Sequence, residues 1–149
     1  MRAVVQRVKR AEGRVDGRVV GTVGEGMVVL LGVGREDTQE TAESLADKIV
    51  NLRIYDDQQG RMNRSISEIQ GGLLCVSQFT LYGDCRKGRR PSYDRAARPD
   101  MACQLYEAFV ESVRARGITV QTGQFQARME VELVNDGPVT LLLDSDRVF

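Results

Sequence analysis

The apolar run Leu73-Leu74-Cys75-Val76 and the residues that follow it, Ser77-Gln78-Phe79-Thr80-Leu81-Tyr82-Gly83-Asp84, constrain this chain more than any other stretch. Four apolar residues in succession read as a buried strand. Side chains alternate along a strand, so one face runs Leu74, Val76, Gln78, Thr80, Tyr82 and the other Leu73, Cys75, Ser77, Phe79, Leu81. The first face turns polar at Gln78, while the second returns to apolar after Ser77. Such a strand, stopped at Gly83-Asp84, makes the wall of a cleft. The alternative is a strand that leaves the core and merely exposes its hydroxyls to solvent.

The remaining segments supply what packs around it. Residues 1–8 read as a strand, with Arg7 unusually close to apolar neighbours; the plain reading of Arg7 is a side chain that snorkels to the surface. Asp16-Gly17 between β-prone segments signals a hairpin. Residues 26–34 form a fully apolar strand closed by glycines. A first helix is expected over about residues 37–52, with Asp37 as N-cap, Glu40 three residues on, and Ala42, Leu45, Ala46 and Ile49 as its buried stripe. Arg53-Ile54-Tyr55 looks like a short strand. A second helix over about residues 99–116 starts at Pro99 and is capped by Gly117. Ile118-Thr119-Val120 begins another strand, and Met129, Val131 and Leu133 alternate with Glu130 and Glu132 as in a half-exposed one. Gly137-Pro138 then separates two strands as a turn or bulge. The expected fold is a mixed, strand-rich α/β domain spanning residues 1–149, its curved or barrel-like sheet covered by two main helices.

Composition narrows the chemistry. The chain has no histidine, which excludes Ser-His-Asp and Cys-His catalysis and every histidine-containing metal site. Lysine plus arginine equal aspartate plus glutamate at 21 each, so nucleic-acid binding would need a local patch. Residues 85–91, Cys85-Arg86-Lys87-Gly88-Arg89-Arg90-Pro91, offer one, extended by Arg95 and Arg98; a basic loop beside a cleft grips phosphates, whereas the bland reading is a solvated loop. Cys75, Cys85 and Cys103 are odd in number and lack metal-type spacing, which suits free thiols in a reducing compartment. The first residues lack the apolar core of a signal peptide, and no segment approaches a membrane span, so a soluble, cytoplasmic protein is expected.

Two separated motifs, residues 77–84 and Asn135-Asp136-Gly137-Pro138-Val139-Thr140, together resemble the D-aminoacyl-tRNA deacylase family. Met1-Arg2-Ala3-Val4-Val5-Gln6-Arg7-Val8 and Arg90-Pro91-Ser92-Tyr93-Asp94-Arg95-Ala96-Ala97 also fit, with Tyr93 standing where phenylalanine is expected. The resemblance implies hydrolysis of the ester joining a D-amino acid to the terminal ribose of tRNA, a homodimer with active sites at the subunit interface, and neither metal nor cofactor. Aminoacyl-tRNA is the partner it implies, with no DNA and no membrane. It places the reaction centre at Ser77, Gln78, Phe79 and Thr80. Gly137-Pro138 is expected as a cis pair reaching into the partner's site, and Arg7 as the support of its orientation.

The residue types suit that reaction. Backbone N–H groups at Phe79 and Thr80 would receive the developing oxyanion. No obvious protein base exists, which fits assistance by the substrate's own ribose hydroxyl. Carbonyls at Gly137 and Pro138 would hold the ammonium group, so that an L side chain meets backbone and a D side chain points outwards. Glycine escapes such a filter, so some activity on glycyl-tRNA is expected. Thr80, lacking an activating base, is expected to shape the pocket rather than attack. Arg86, Lys87, Arg89 and Arg90 are the expected tRNA contacts. Two other readings remain: a non-catalytic RNA-binding module using residues 86–98, and a hydrolase of small esters with no need of that loop.

Overall fold

The computed structural model describes residues 1–149. In chain order the elements are β1 (Arg2–Val15), β2 (Arg18–Val23), β3 (Gly26–Gly32), α1 (Gln39–Val50), β4 (Tyr55–Asp56), β5 (Met62–Arg64), β6 (Gly72–Ser77), a 3-10 turn (Phe79–Tyr82), α2 (Pro99–Ala115), β7 (Thr119–Thr122) and β8 (Glu130–Asp144). The main sheet runs β2-β1-β3-β6-β7, with β8 also paired to β1. β1 is antiparallel to β2, β3 and β8, while β3–β6 and β6–β7 are parallel. Each parallel pair needs a crossover, and α1 and α2 supply the two. β2 and β7 nearly meet: a Cβ placed on Gly21 would lie 2.7 Å from the Thr122 carbonyl oxygen. The sheet is thus a nearly closed barrel with two helices outside it.

Burial follows the apolar runs. Met27, Val29, Leu31, Leu73 and Cys75 face the helices and pack with Ile49 and Phe109 in the main core. On the other face of the same strands, Val28, Leu74 and Val76 meet Val8, Ala11 and Val23 inside the curled sheet. At the β1–β2 hairpin, Asp16 and Gly17 have φ of 50° and 76°, the left-handed pair that a two-residue loop requires.

The first helix starts later than expected. Thr38, not Asp37, is its N-cap, and Thr38 and Thr41 exchange side-chain and backbone hydrogen bonds. Asp37 is buried instead, accepting from the Gly34 N–H at 2.6 Å and the Met1 amine at 2.5 Å. The second helix matches the Pro99 and Gly117 signals, and Gly117 has φ of 81°. The expected strand at residues 53–55 is shifted: Tyr55–Asp56 pairs with Met62–Arg64 as a small hairpin outside the main sheet.

The central strand departs most. β6 ends at Ser77, and the alternation expected through Tyr82 gives way to the 3-10 turn. Phe79 is therefore 56% exposed and Tyr82 only 4%, the reverse of what strand alternation assigned. The cause is loss of neighbours, because β7 pairs no further than Cys75 and β3 no further than Ser77. Beyond that point the backbone bonds to itself, Leu81 N–H to the Gln78 carbonyl at 3.2 Å and Gly83 N–H to that of Thr80 at 2.9 Å.

β8 also differs, being one strand across Gly137-Pro138 rather than two. Its ladder with β1 slips from Gln6↔Thr140 to Val8↔Asn135, so Arg7 alone faces residues 136–139. That stretch is a large bulge. No helix is long and apolar enough to cross a membrane.

Candidate active site

The strand that loses its neighbours opens a cleft. Its volume is about 610 Å³, and Ser77, Gln78 and Phe79 line it with Tyr93, Phe125 and Met129. The Phe79 and Tyr93 rings meet edge to face, centroids 5.1 Å apart, which puts the Tyr93 ring at the cleft wall. The first two N–H groups of the turn, those of Phe79 and Thr80, precede its first internal bond, where a 3-10 helix leaves donors unpaired. Both residues are exposed. The Thr80 hydroxyl accepts a hydrogen bond from the Gln78 side-chain amide, and no carboxylate or amine touches it. An amide donor cannot take a proton, so nothing at Thr80 activates a nucleophile.

Arg7 does not snorkel. It is buried on β1 beneath the β8 bulge. Nε donates to the Asp136 carbonyl at 3.3 Å and lies 3.2 Å from Asp136 Oδ2. Nη1 donates to the Ile54 carbonyl at 2.7 Å and to Asp56 Oδ1 at 3.3 Å. The bulge is tied at its base by Asn135, whose side-chain amide donates to the carbonyls of Arg7 at 3.0 Å and Val139 at 3.1 Å. Gly137 has φ of 114°, and its peptide bond to Pro138 is cis. Both residues are exposed at the crest. The cleft takes lining from Met129 and Val131 but from neither Gly137 nor Pro138. Within one chain the two expected halves of the site are thus separate.

Sequence reasoning missed Asn135, Asp136, Ile54 and Asp56 as supports of this bulge. Asn135 and Asp136 adjoin the Gly-Pro pair, and adjacency alone could have drawn attention to them. Ile54 acts through its carbonyl and Asp56 through a separate hairpin, and neither leaves a mark in the sequence pattern.

The basic loop is pinned at its base, where Asp84 and Ser92 exchange backbone hydrogen bonds of 2.8 and 3.0 Å. Arg86 folds back on Asp84, Nη2 to Oδ2 at 2.6 Å, and that hydrogen bonding holds the Asp84 carboxyl down at about 2. The pair lies at the surface, with the Arg86 side chain 85% exposed. Lys87, Arg89 and Arg90 are exposed and form no ion pair. The three cysteines are free, and burial pushes the Cys75 thiol up to about 12, so it stays protonated and inert.

Comparison with known proteins gives one family. The family model described as D-Tyr-tRNA(Tyr) deacylase matches residues 4–144. A D-aminoacyl-tRNA deacylase of Symbiobacterium thermophilum is 61% identical over 149 residues, covering 100% of this chain and 99% of its own. Another, from Fervidobacterium nodosum, is 60% identical with both chains fully covered. Among solved structures, one named c-Myc DNA Unwinding Element Binding Protein superposes with a TM-score of 0.91 at 41% identity, covering 97% of this chain and 98% of that one. A probable eukaryotic D-amino acid tRNA deacylase shares the fold, with a TM-score of 0.82 at 20% identity over 95% and 97% of the two chains.

Proposed function

The chain belongs to the D-Tyr-tRNA(Tyr) deacylase family and hydrolyses the ester of D-aminoacyl-tRNA, and from that premise we propose how its residues divide the work. The cleft beside residues 77–80 receives the esterified end of the tRNA. Water adds to the ester carbonyl carbon, and the oxyanion that forms takes hydrogen bonds from the Phe79 and Thr80 N–H groups. The bond to the ribose oxygen then breaks, and the proton passes to that leaving oxygen with help from the neighbouring ribose hydroxyl. Gln78 holds the Thr80 side chain aside, and Ser77 ends the strand that aims the turn.

Handedness is the task of Gly137 and Pro138, acting in the cleft of a second copy. The observation that carries this reading is the bulge itself: two exposed residues held rigid by Arg7 and Asn135, yet lining no cleft in their own chain. The same side of β8 bears the exposed Leu142, 63% accessible, as a face shared between two copies would. Their carbonyls accept from the substrate ammonium group, and an L side chain then strikes backbone. Rejection by collision leaves D side chains, and glycine, free to react.

The test is deacylation of D- and L-tyrosyl-tRNA by the purified protein, side by side with chelator present. Rapid loss of the D ester alone is expected. Loss of both esters overturns the role of Gly137 and Pro138, and retention of both with tRNA bound returns the chain to an RNA-binding module. Replacing Lys87, Arg89 and Arg90 together by glutamine should weaken action on tRNA and flatten its dependence on log salt by about 2, as three fewer phosphate contacts require. A D-amino acid esterified to free adenosine, which keeps the neighbouring ribose hydroxyl but lacks the tRNA backbone, should be cleaved as by the parent; equal damage to both substrates would rule the loop out as a tRNA contact. Thr80→Ala should keep turnover within about tenfold, because a hydroxyl without a base supplies little. Complete loss in a folded variant, or a trapped acyl-Thr80, would make it the nucleophile.

A further inference from the structure

We propose that Arg2 is the positioning residue for the turn that presents the Phe79 and Thr80 N–H groups. The inference rests on the oxyanion role of that turn proposed above and adds what holds it in place. The turn is attached at its entry by the Gln78 N–H, which donates to the Leu31 carbonyl at 2.8 Å. Gly32 lets it lie close on β3, since a Cβ there would come within 3.0 Å of the Gln78 carbonyl oxygen and 3.1 Å of Leu81 Cβ. The far end also packs on this segment, a Cβ on Gly34 falling 2.9 Å from Tyr82 Cζ, but such packing gives the Leu81 carbonyl no donor. The next N–H groups, of Gly83 and Asp84, go to the carbonyls of Thr80 and Ser92, and Leu81 is left without a backbone donor.

Arg2 closes that end. Its Nη1 donates to the Leu81 carbonyl at 3.0 Å, and its Nε to Asp144 Oδ2 at 3.0 Å. The guanidinium carbon lies 4.6 Å from the centroid of the Tyr82 ring and 5.5 Å from that of Phe149. The side chains of Arg2 and Asp144 are 16% and 1% exposed, so the pair is withdrawn from water. Tyr82 is buried and its hydroxyl has no partner; its ring packs against Gly32 and Gly34, and the Arg2 guanidinium adds a cation–ring contact. One planar group therefore joins the first and last strands of the chain, β1 and β8, to the last two residues of the turn. A lysine keeps the charge for Asp144 but cannot also lie flat on Tyr82 and reach Leu81.

Oxyanion donors act only within a few tenths of an ångström of their working position, so a loosened turn lowers the rate of the chemical step. Arg2→Lys is expected to lower kcat on D-tyrosyl-tRNA about tenfold, with KM within about twofold of the parent. The ratio of D to L cleavage should be unchanged, because the bulge at Gly137 is untouched. The double variant Arg2→Met, Asp144→Asn removes both buried charges at once, and should show the same loss in kcat without an unpaired carboxylate. A lowered Tm with parental kcat in both variants would reduce Arg2 to a stabilising residue and overturn the proposal. So would a loss confined to KM. Phe79→Pro and Phe79→Ala, run in parallel, separate the two layers. Equal kcat in those two removes the oxyanion reading and this inference with it. A deficit in Phe79→Pro beside an unaffected Arg2→Lys removes only the inference.

Discussion

Phe79→Pro should turn over D-tyrosyl-tRNA about a hundredfold more slowly than Phe79→Ala, the usual cost of one oxyanion donor. The two variants lose the same aromatic ring and the same edge contact with Tyr93. They differ in one backbone N–H, which proline lacks. Phe79 is the first residue of its turn, where proline interrupts no internal hydrogen bond, and Gln78 before it, with φ of −141° and ψ of 76°, lies outside the helical region that a following proline disfavours. Both proteins should therefore fold, as their circular dichroism and melting will show. Single-turnover rates isolate the chemical step. Equal rates would mean that the Phe79 N–H does not meet the reacting oxygen.

Gly137→Ala should damage selectivity as well as speed. At φ of 114° an alanine is strained by about 1–3 kcal/mol before any contact is counted. Its Cβ would also lie 2.9 Å from Val139 Cγ2, 3.1 Å from the Val139 nitrogen and 3.0 Å from Arg7 Nη2. Either the crest of the bulge moves or Arg7 swings away from Asp136, and in both cases the carbonyls lose their direction. The expected result is slower cleavage of D-tyrosyl-tRNA and a D-to-L ratio reduced at least about tenfold, the equivalent of roughly 1.4 kcal/mol. Lower activity with an unchanged ratio would detach the bulge from chiral choice.

Much of this architecture was legible because local patterns and tertiary packing agree. Apolar runs at residues 26–32 and 73–76 became strands buried on both faces, and Pro99 and Gly117 bracketed a helix. Expectation failed where a local pattern met a tertiary limit. Residues 78–82 alternate as a strand should, yet no neighbour remains there to pair with, so they coil. Asp37 has the chemistry of a helix cap, but an amine 36 residues away in sequence takes it. The candidate site followed the same division. Residues 77–80 and 137–138 stood out by their motifs, whereas the Ile54 carbonyl, Asp56 and Arg2 work through contacts between distant segments that no spacing records.

β1 gives the molecule a ruler. Arg2 and Arg7 stand five residues apart on this one extended strand, a distance of roughly 17 Å, and an odd separation sends them to opposite faces. One reaches the turn, the other the bulge. Inserting or deleting a single residue between them would turn one arginine to the wrong side and shift the ladders to β3 and β8 together. On the proposed division of work, substitutions along this strand would separate reaction rate from chiral choice, but a change in its length would strike both at once.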